Sequence, residues 1–207
     1  VSYRDIVVLM RTVRGRANVL LEVFRQAGIP AYAELGTGYF EATEVDTMLS
    51  LLKIIDNPRQ DIPLAAVLRS PVGGFSHDEL AMIRLCDREC DFYGALEAAS
   101  SNSEPGQLAR KISEFMKRLE SWRTLARRAP LSAMVWQLYQ ETEYLDYVAG
   151  MPGGIQRQAN LRAFHERARQ FDRFSRQGLA RFLMFIDKLK EAEGDLGTAR
   201  ALGEAED

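Results

Sequence analysis

Arg11 stands directly behind an unbroken apolar run, Ile6, Val7, Val8, Leu9 and Met10, and its placement is where chemistry can first be argued. A β-branched run without alternation reads as a strand buried on both faces of a sheet. In open α/β sheets ligands bind beyond the carboxyl ends of the strands, so a guanidinium at that point faces the position of a phosphate. The bland alternative is a charge that ends a strand by reaching water. Arg14 and Arg16 follow closely, but neither directly succeeds the run.

A second candidate is the turn Val72, Gly73, Gly74, Phe75, Ser76. Two glycines allow close backbone approach, and the helix that follows presents its amino-terminal amides, so a DNA phosphate can dock there without sequence reading. Against this, glycine turns join helices everywhere, and Ser76 with Glu79 spells a capping box that already uses part of that amide set. A third candidate is charge. Residues 108–128 hold seven basic residues against two acidic ones, and residues 155–177 hold six, Arg157, Arg162, Arg167, Arg169, Arg173 and Arg176, against Glu166 and Asp172. The formal total is only −2, so the rest of the chain is acidic and charge is segregated. Such segregation suits contact with a nucleic-acid backbone, while the plain alternative is solvation or pairing with the acidic helices.

Cys86 and Cys90 lie four apart on an expected helix. With His77 and His165 the only histidines, no four-ligand zinc set is spelled, and two cysteines are too few for an iron–sulfur cluster. They read as buried, reduced thiols on one helix face.

These residues need elements to hold them. The apolar run, a helix with Ala17, Leu20, Leu21 and Phe24 at helical spacing, Gly28 past its end, and a short strand from Pro30 to about residue 35 make a β-α-β unit. Thr43 then caps a helix through Met48, Leu49, Leu52 and Ile55 that stops at Asn57 and Pro58. Asp61 caps a shorter one with Leu64, Val67 and Leu68 inward, ended by Pro71, and the next carries Leu80, Ile83 and Leu85. Residues 100–106 are a flexible connection. Beyond it, Leu108, Ile112, Phe115, Leu119, Trp122 and Ala126 mark one buried stripe. Pro130 opens a helix with Met134, Leu138 and Tyr139, running toward Tyr144 and Tyr147. Leu161, Phe164, Ala168 and Phe171 mark another stripe, and the last helix, from Leu179 through Phe182, Leu183, Phe185, Ile186 and Leu189, is strongly apolar. The chain of 207 residues is 46% hydrophobic and 27% charged, enough for one substantial core or two small ones. No apolar run approaches the ~20 residues of a spanning helix, and no secretory leader opens it, which reads as cytoplasmic. A start at Val1, entering a buried strand at once, reads as a piece of a larger protein.

The order apolar strand, Arg11, Arg16, helix, Gly28-Ile29-Pro30, then Gly36, Phe40, Glu44, Val45 and Asp46 resembles motif IV and its sequel in UvrD-like superfamily-one DNA helicases. Residues 40–80 and 153–207 are similar to AddA-type subunits of helicase–nucleases, and the resemblance spans nearly the whole chain. It implies a mainly α fold: residues 1–35 as a β-α-β piece of the second RecA-like motor domain, and residues 36–207 as a helical 2B-type subdomain. It implies that Arg11 reaches the γ-phosphate of ATP. It places the Gly73, Gly74 and Ser76 turn near duplex DNA, although Ser76 stands where the family's last glycine is expected and Gly73 where a basic residue is common. Arg157, Arg162, Arg169 and Arg173 become candidate DNA contacts. The implied cofactors are ATP and magnesium in the parent protein. The implied partners are double- and single-stranded DNA, the other domains of the same chain, and an AddB-type subunit. No GxxxxGK[ST] phosphate loop and no convincing nuclease carboxylate cluster lies in this stretch, so the piece alone is expected to be inactive. The competing class is a non-catalytic helical adaptor, which explains the stripes and basic faces but leaves the strand, arginine, helix, Gly-Ile-Pro order as coincidence.

Overall fold

The computed structural model describes residues 2–9, 20, 23–24, 27–31, 39–40, 42–101, 106–174 and 178–191. Nine α-helices are present among them: α1 Thr43–Asp56, α2 Asp61–Arg69, α3 His77–Cys86, α4 Phe92–Ser101, α5 Gln107–Ala126, α6 Leu131–Thr142, α7 Tyr144–Ala149, α8 Gly154–Phe174 and α9 Gly178–Glu191.

The core forms around α1. Val45, Met48, Leu49, Leu51, Leu52, Ile54 and Ile55 are all at most 2% exposed, so this helix is covered on nearly every side. A helix that is apolar all round must be surrounded, and α2, α5, α8 and α9 pack against it. Each such side chain contributes roughly 1.5–3 kcal/mol by leaving water. The expected stripes are met at their centres: Ile112, Phe115, Leu119 and Trp122 of α5 are buried, as are Leu161, Phe164 and Ala168 of α8, while Leu108, Ala126 and Phe171 at their ends are only half-buried against the core. The aromatic pair Tyr39 and Phe40 is buried as well, rings edge to face at 5.0 Å, and joins the start of this region to α8 through the Tyr39 hydroxyl, which donates to the Asn160 carbonyl at 3.0 Å.

Several expectations need correction. The run at residues 6–9, expected as a strand buried on both faces, forms no strand, and Ile6, Val7, Val8 and Leu9 are 61, 75, 59 and 91% exposed. A doubly buried strand needs neighbours on both edges and layers on both faces, and the described residues provide neither. Gly28 has φ 70°, just past a helical turn in which the Ile29 amide donates to the Phe24 carbonyl, in keeping with a left-handed helix end. Leu20 and Phe24 of the expected helix are helical and half-buried, whereas Pro30 and Ala31, expected to start the second strand, form no strand and are exposed. Ala17, Leu21 and residues 32–35 fall outside the described residues, as do Arg11, Arg14, Arg16, Gly36 and Arg176. Thr43 is the first helical residue rather than the cap, which is Ala42. Asp61 is also inside its helix, and its carboxylate accepts instead from the Phe92 amide at 2.9 Å, capping α4 from across a loop. Leu85 is exposed. Cys86 is exposed at the end of α3, and Cys90 lies beyond it and is half-buried, so the two thiols do not share a helix face.

Candidate nucleic-acid interface

The glycine turn joins α2 to α3. Gly73 is there because nothing larger fits: a Cβ would lie 2.6 Å from both the Cα and the carbonyl oxygen of Leu68. Gly74 takes φ 69°, the left-handed region that glycine enters without steric penalty. Both amides point inward, donating to the Ser70 carbonyl at 3.1 and 2.7 Å, and the Phe75 amide donates to Leu68. The expected capping box is complete: the Ser76 amide donates to Glu79 Oε2 at 2.8 Å, and the Glu79 amide to Ser76 Oγ at 3.1 Å. The amides of His77 and Asp78, first in α3, are what the turn leaves for an outside acceptor.

Basic residues of α5 cover the same turn. Lys111 Nζ donates to Glu79 Oε2 and to the Gly74 carbonyl, both at 2.7 Å, and lies 4.5 Å from the Phe75 ring centroid. Its ammonium and the Ser76 amide hold the Glu79 carboxyl below its ordinary value, the lysine hydrogen bond being the larger cause. Arg118 lies over the Trp122 ring at 4.9 Å. Arg123 and Arg127 both pair with Glu120. Much of the α5 charge is therefore committed within the chain. Among the described residues no group of three or more His, Cys, Asp or Glu is placed to hold a metal ion.

The arginines expected on α8 divide by direction. Arg157 faces inward: its Nη1 donates to Glu44 Oε2 at 2.7 Å and its Nε to the Pro152 carbonyl. Glu44 is 3% exposed and its other oxygen accepts from Asn160 Nδ2 at 2.7 Å, so Arg157 and Asn160 together balance a buried carboxylate on α1. Arg167 lies 4.8 Å from the Tyr39 ring centroid, half-buried, with its Nε lacking a hydrogen-bond partner among the described residues. Arg162, Arg169 and Arg173 are exposed, and at spacings of seven and four residues they share one side of the helix. Glu166 bonds Arg169 at 2.9 Å on that side.

Two features escaped the sequence. The Asp172 carboxylate accepts from the Leu131 and Ser132 amides at 3.0 and 2.9 Å and so caps α6. A signal for this existed, since Pro130 offers no side-chain acceptor to the helix it opens. Trp136, 45% exposed, is the other; it stands apart from the α6 stripe of Leu131, Met134, Val135, Leu138 and Tyr139.

The sequence pattern of the UvrD-like helicase C-terminal domain matches residues 1–195. The chain is similar, over its whole length, to the AddA-type subunit of the ATP-dependent helicase/nuclease of Desulforamulus reducens, at 58% identity and 17% of that protein's length. It is likewise similar to the proteins of the same name from Desulforudis audaxviator, at 55% identity and 17% of the length, and from Moorella thermoacetica, at 49% and 19%. The chain thus spans less than a fifth of these relatives.

Proposed function

The chain belongs to the UvrD-like helicase C-terminal domain family, and from that premise we propose that it works as a segment of an ATP-dependent DNA helicase and nuclease acting at broken duplex ends, moving in the 3′ to 5′ direction. Residues 1–35 contribute part of the second motor domain, and residues 36–207 form the helical 2B subdomain. The exposed apolar run at residues 6–9 supports the first assignment, because it suits a strand whose neighbours come from other parts of the protein. Arg11, directly after that run, reaches the γ-phosphate of ATP across the cleft between motor domains, where an arginine finger contributes about 10³ to 10⁵ in turnover. The phosphate loop, its magnesium ion and the nuclease centre belong to other parts of the parent protein.

The observation that carries the DNA-binding reading is the division of the α8 arginines. Arg162, Arg169 and Arg173 keep one exposed side while Arg157 is spent on Glu44, so we assign DNA backbone contact to the first three and remove Arg157 from the contact set. The turn at Gly73, Gly74 and Ser76 ranks behind them. A phosphate there would meet the His77 and Asp78 amides beside the Glu79 carboxylate, and the Lys111 ammonium on the same turn is already bonded to Glu79 and the Gly74 carbonyl. The same exposed faces also suit an AddB-type partner. We also propose a cytoplasmic parent protein, as its DNA-repair role implies. Among the described residues no helix is long and apolar enough to cross a membrane.

The test is the salt dependence of DNA binding by the full-length protein. Each phosphate contact removed lowers the slope of log affinity against log salt by about 0.9 on duplex and about 0.7 on single strands. Replacing Arg162, Arg169 and Arg173 by Gln together is expected to lower it by about 2 to 3, and an unchanged slope would refute the assignment.

A further inference from the structure

We propose that Trp136 and His165, framed by Arg162, Arg169 and Arg173, form a stacking site for an unpaired DNA base. The proposal rests on the DNA-binding reading above and says which form of DNA the exposed side of α8 holds.

Tryptophan carries the largest apolar surface of any side chain and is highly buried on average. Trp136 is 45% exposed although the same helix buries five other side chains. Its ring is nonetheless braced. The His165 ring lies 5.4 Å away at 51°, and the Tyr139 ring 6.4 Å away at 69°. Tyr139 is itself fixed, its buried hydroxyl donating to the Leu161 carbonyl at 2.8 Å. Asp172 holds the start of α6 against the end of α8, so the two helices run antiparallel with Trp136 pinned between these anchors. An aromatic surface held in one orientation gives up little conformational freedom when a flat ligand settles on it.

The charges around it select the ligand. Arg162 precedes His165 by three residues and Arg169 follows it by four, which places all three on one side of α8, with Arg173 a further turn along. The intervals from Arg162 to Arg169 and from Arg169 to Arg173 correspond to rises of about 10 and about 6 Å along the helix. Glu166 is already bonded to Arg169, and the nearest α6 carboxylate, Glu141, accepts from Trp122 Nε1 at 2.6 Å and Gln137 Nε2 at 2.7 Å. An exposed aromatic step inside a cationic track is the arrangement that binds single-stranded nucleic acid: bases stack on the ring and arginines meet the phosphates. In duplex DNA the base faces are covered by one another, so a ring presented this way gains nothing from it beyond the terminal pair.

The experiment uses the full-length protein in its assembled form. Short pyrimidine oligonucleotides carrying 5-iodouracil at successive positions are crosslinked with long-wave ultraviolet light and the adducts mapped by peptide sequencing. The expected result is an adduct at Trp136. Trp136→Ala weakens binding of a tailed duplex about fivefold or more, since a base–aromatic stack is worth about 1–3 kcal/mol; Trp136→Phe stays within about threefold, and blunt duplex is bound as before. Adducts elsewhere together with unchanged affinity in Trp136→Ala overturn the stacking site while leaving the DNA-binding reading intact. Failure of the subunits to assemble, with tail binding kept, in Trp136→Ala overturns it too, and makes the face a protein-docking surface. A wild-type protein that binds neither tail nor duplex removes both readings together.

Discussion

Arg157 and Arg162 look interchangeable in the sequence, two arginines on one basic helix, yet the fold gives them opposite duties. The partner of Arg157 is Glu44, 113 residues earlier, and no local pattern announces a contact over that distance. Removing Arg157 leaves a carboxylate that is 3% exposed with only Asn160 to balance it. Breaking one side of a buried pair costs about 3–5 kcal/mol, and because Arg157 keeps some contact with water the lower end applies. In urea unfolding Arg157→Ala is therefore expected to lose about 3 kcal/mol, whereas Arg162→Ala changes stability by less than about 0.5 kcal/mol. Equal losses in the two variants would mean that their separation into internal and surface arginines is wrong. Residue type and charge were legible in the sequence; direction was not, because it depends on which helix lies across from each guanidinium.

Helix positions and most of their buried stripes were legible because periodicity and caps are local. The Ser76 and Glu79 box is such a case, with both of its hydrogen bonds formed as their three-residue spacing implies. The caps supplied by Asp61 and Asp172 were not, since each carboxylate serves a helix other than its own. Nor was the fate of residues 6–9, because an apolar run names a strand but cannot supply the strands beside it. At the α3 cap the electrostatics give a pH signature. Glu79 is held below its ordinary value of 4.5, so its contribution to stability is complete above that value and is lost as pH falls through the lowered one. Acidification from about pH 6 to about pH 3 is expected to destabilise the wild type more than Glu79→Gln, and Ser76→Ala to cost about 1 kcal/mol at neutral pH. Parallel stability curves for wild type and Glu79→Gln would show that the Lys111 contact does not bias the carboxyl.

For the molecule as a whole, the mainly helical class followed from periodicity, but the way the helices gather on α1 did not. Nothing in a sequence says that one apolar helix will touch four others; that follows from the nearly complete burial of α1. The packing separates two kinds of surface. On α5 Lys111 braces the glycine turn and Arg123 pairs with Glu120, while Arg110 and Lys117 stay exposed. On α8 Arg157 is spent on Glu44, while Arg162, Arg173 and the Glu166-paired Arg169 keep one side beside an exposed indole, so charge that looked uniform in sequence is divided between internal and surface duties. Division of this kind would suit the proposed role, in which the helical part holds its own shape while DNA passes to a motor. It gains its meaning only if the chain serves ATP-driven movement.

DNA-stimulated ATP hydrolysis by the full-length protein, wild type against Arg11→Ala, tests that most directly. The expected outcome is a fall of about 10³-fold or more in turnover with DNA affinity unchanged, and no turnover at all from this chain alone. Equal turnover in the two proteins, or hydrolysis by the chain alone, would contradict the account.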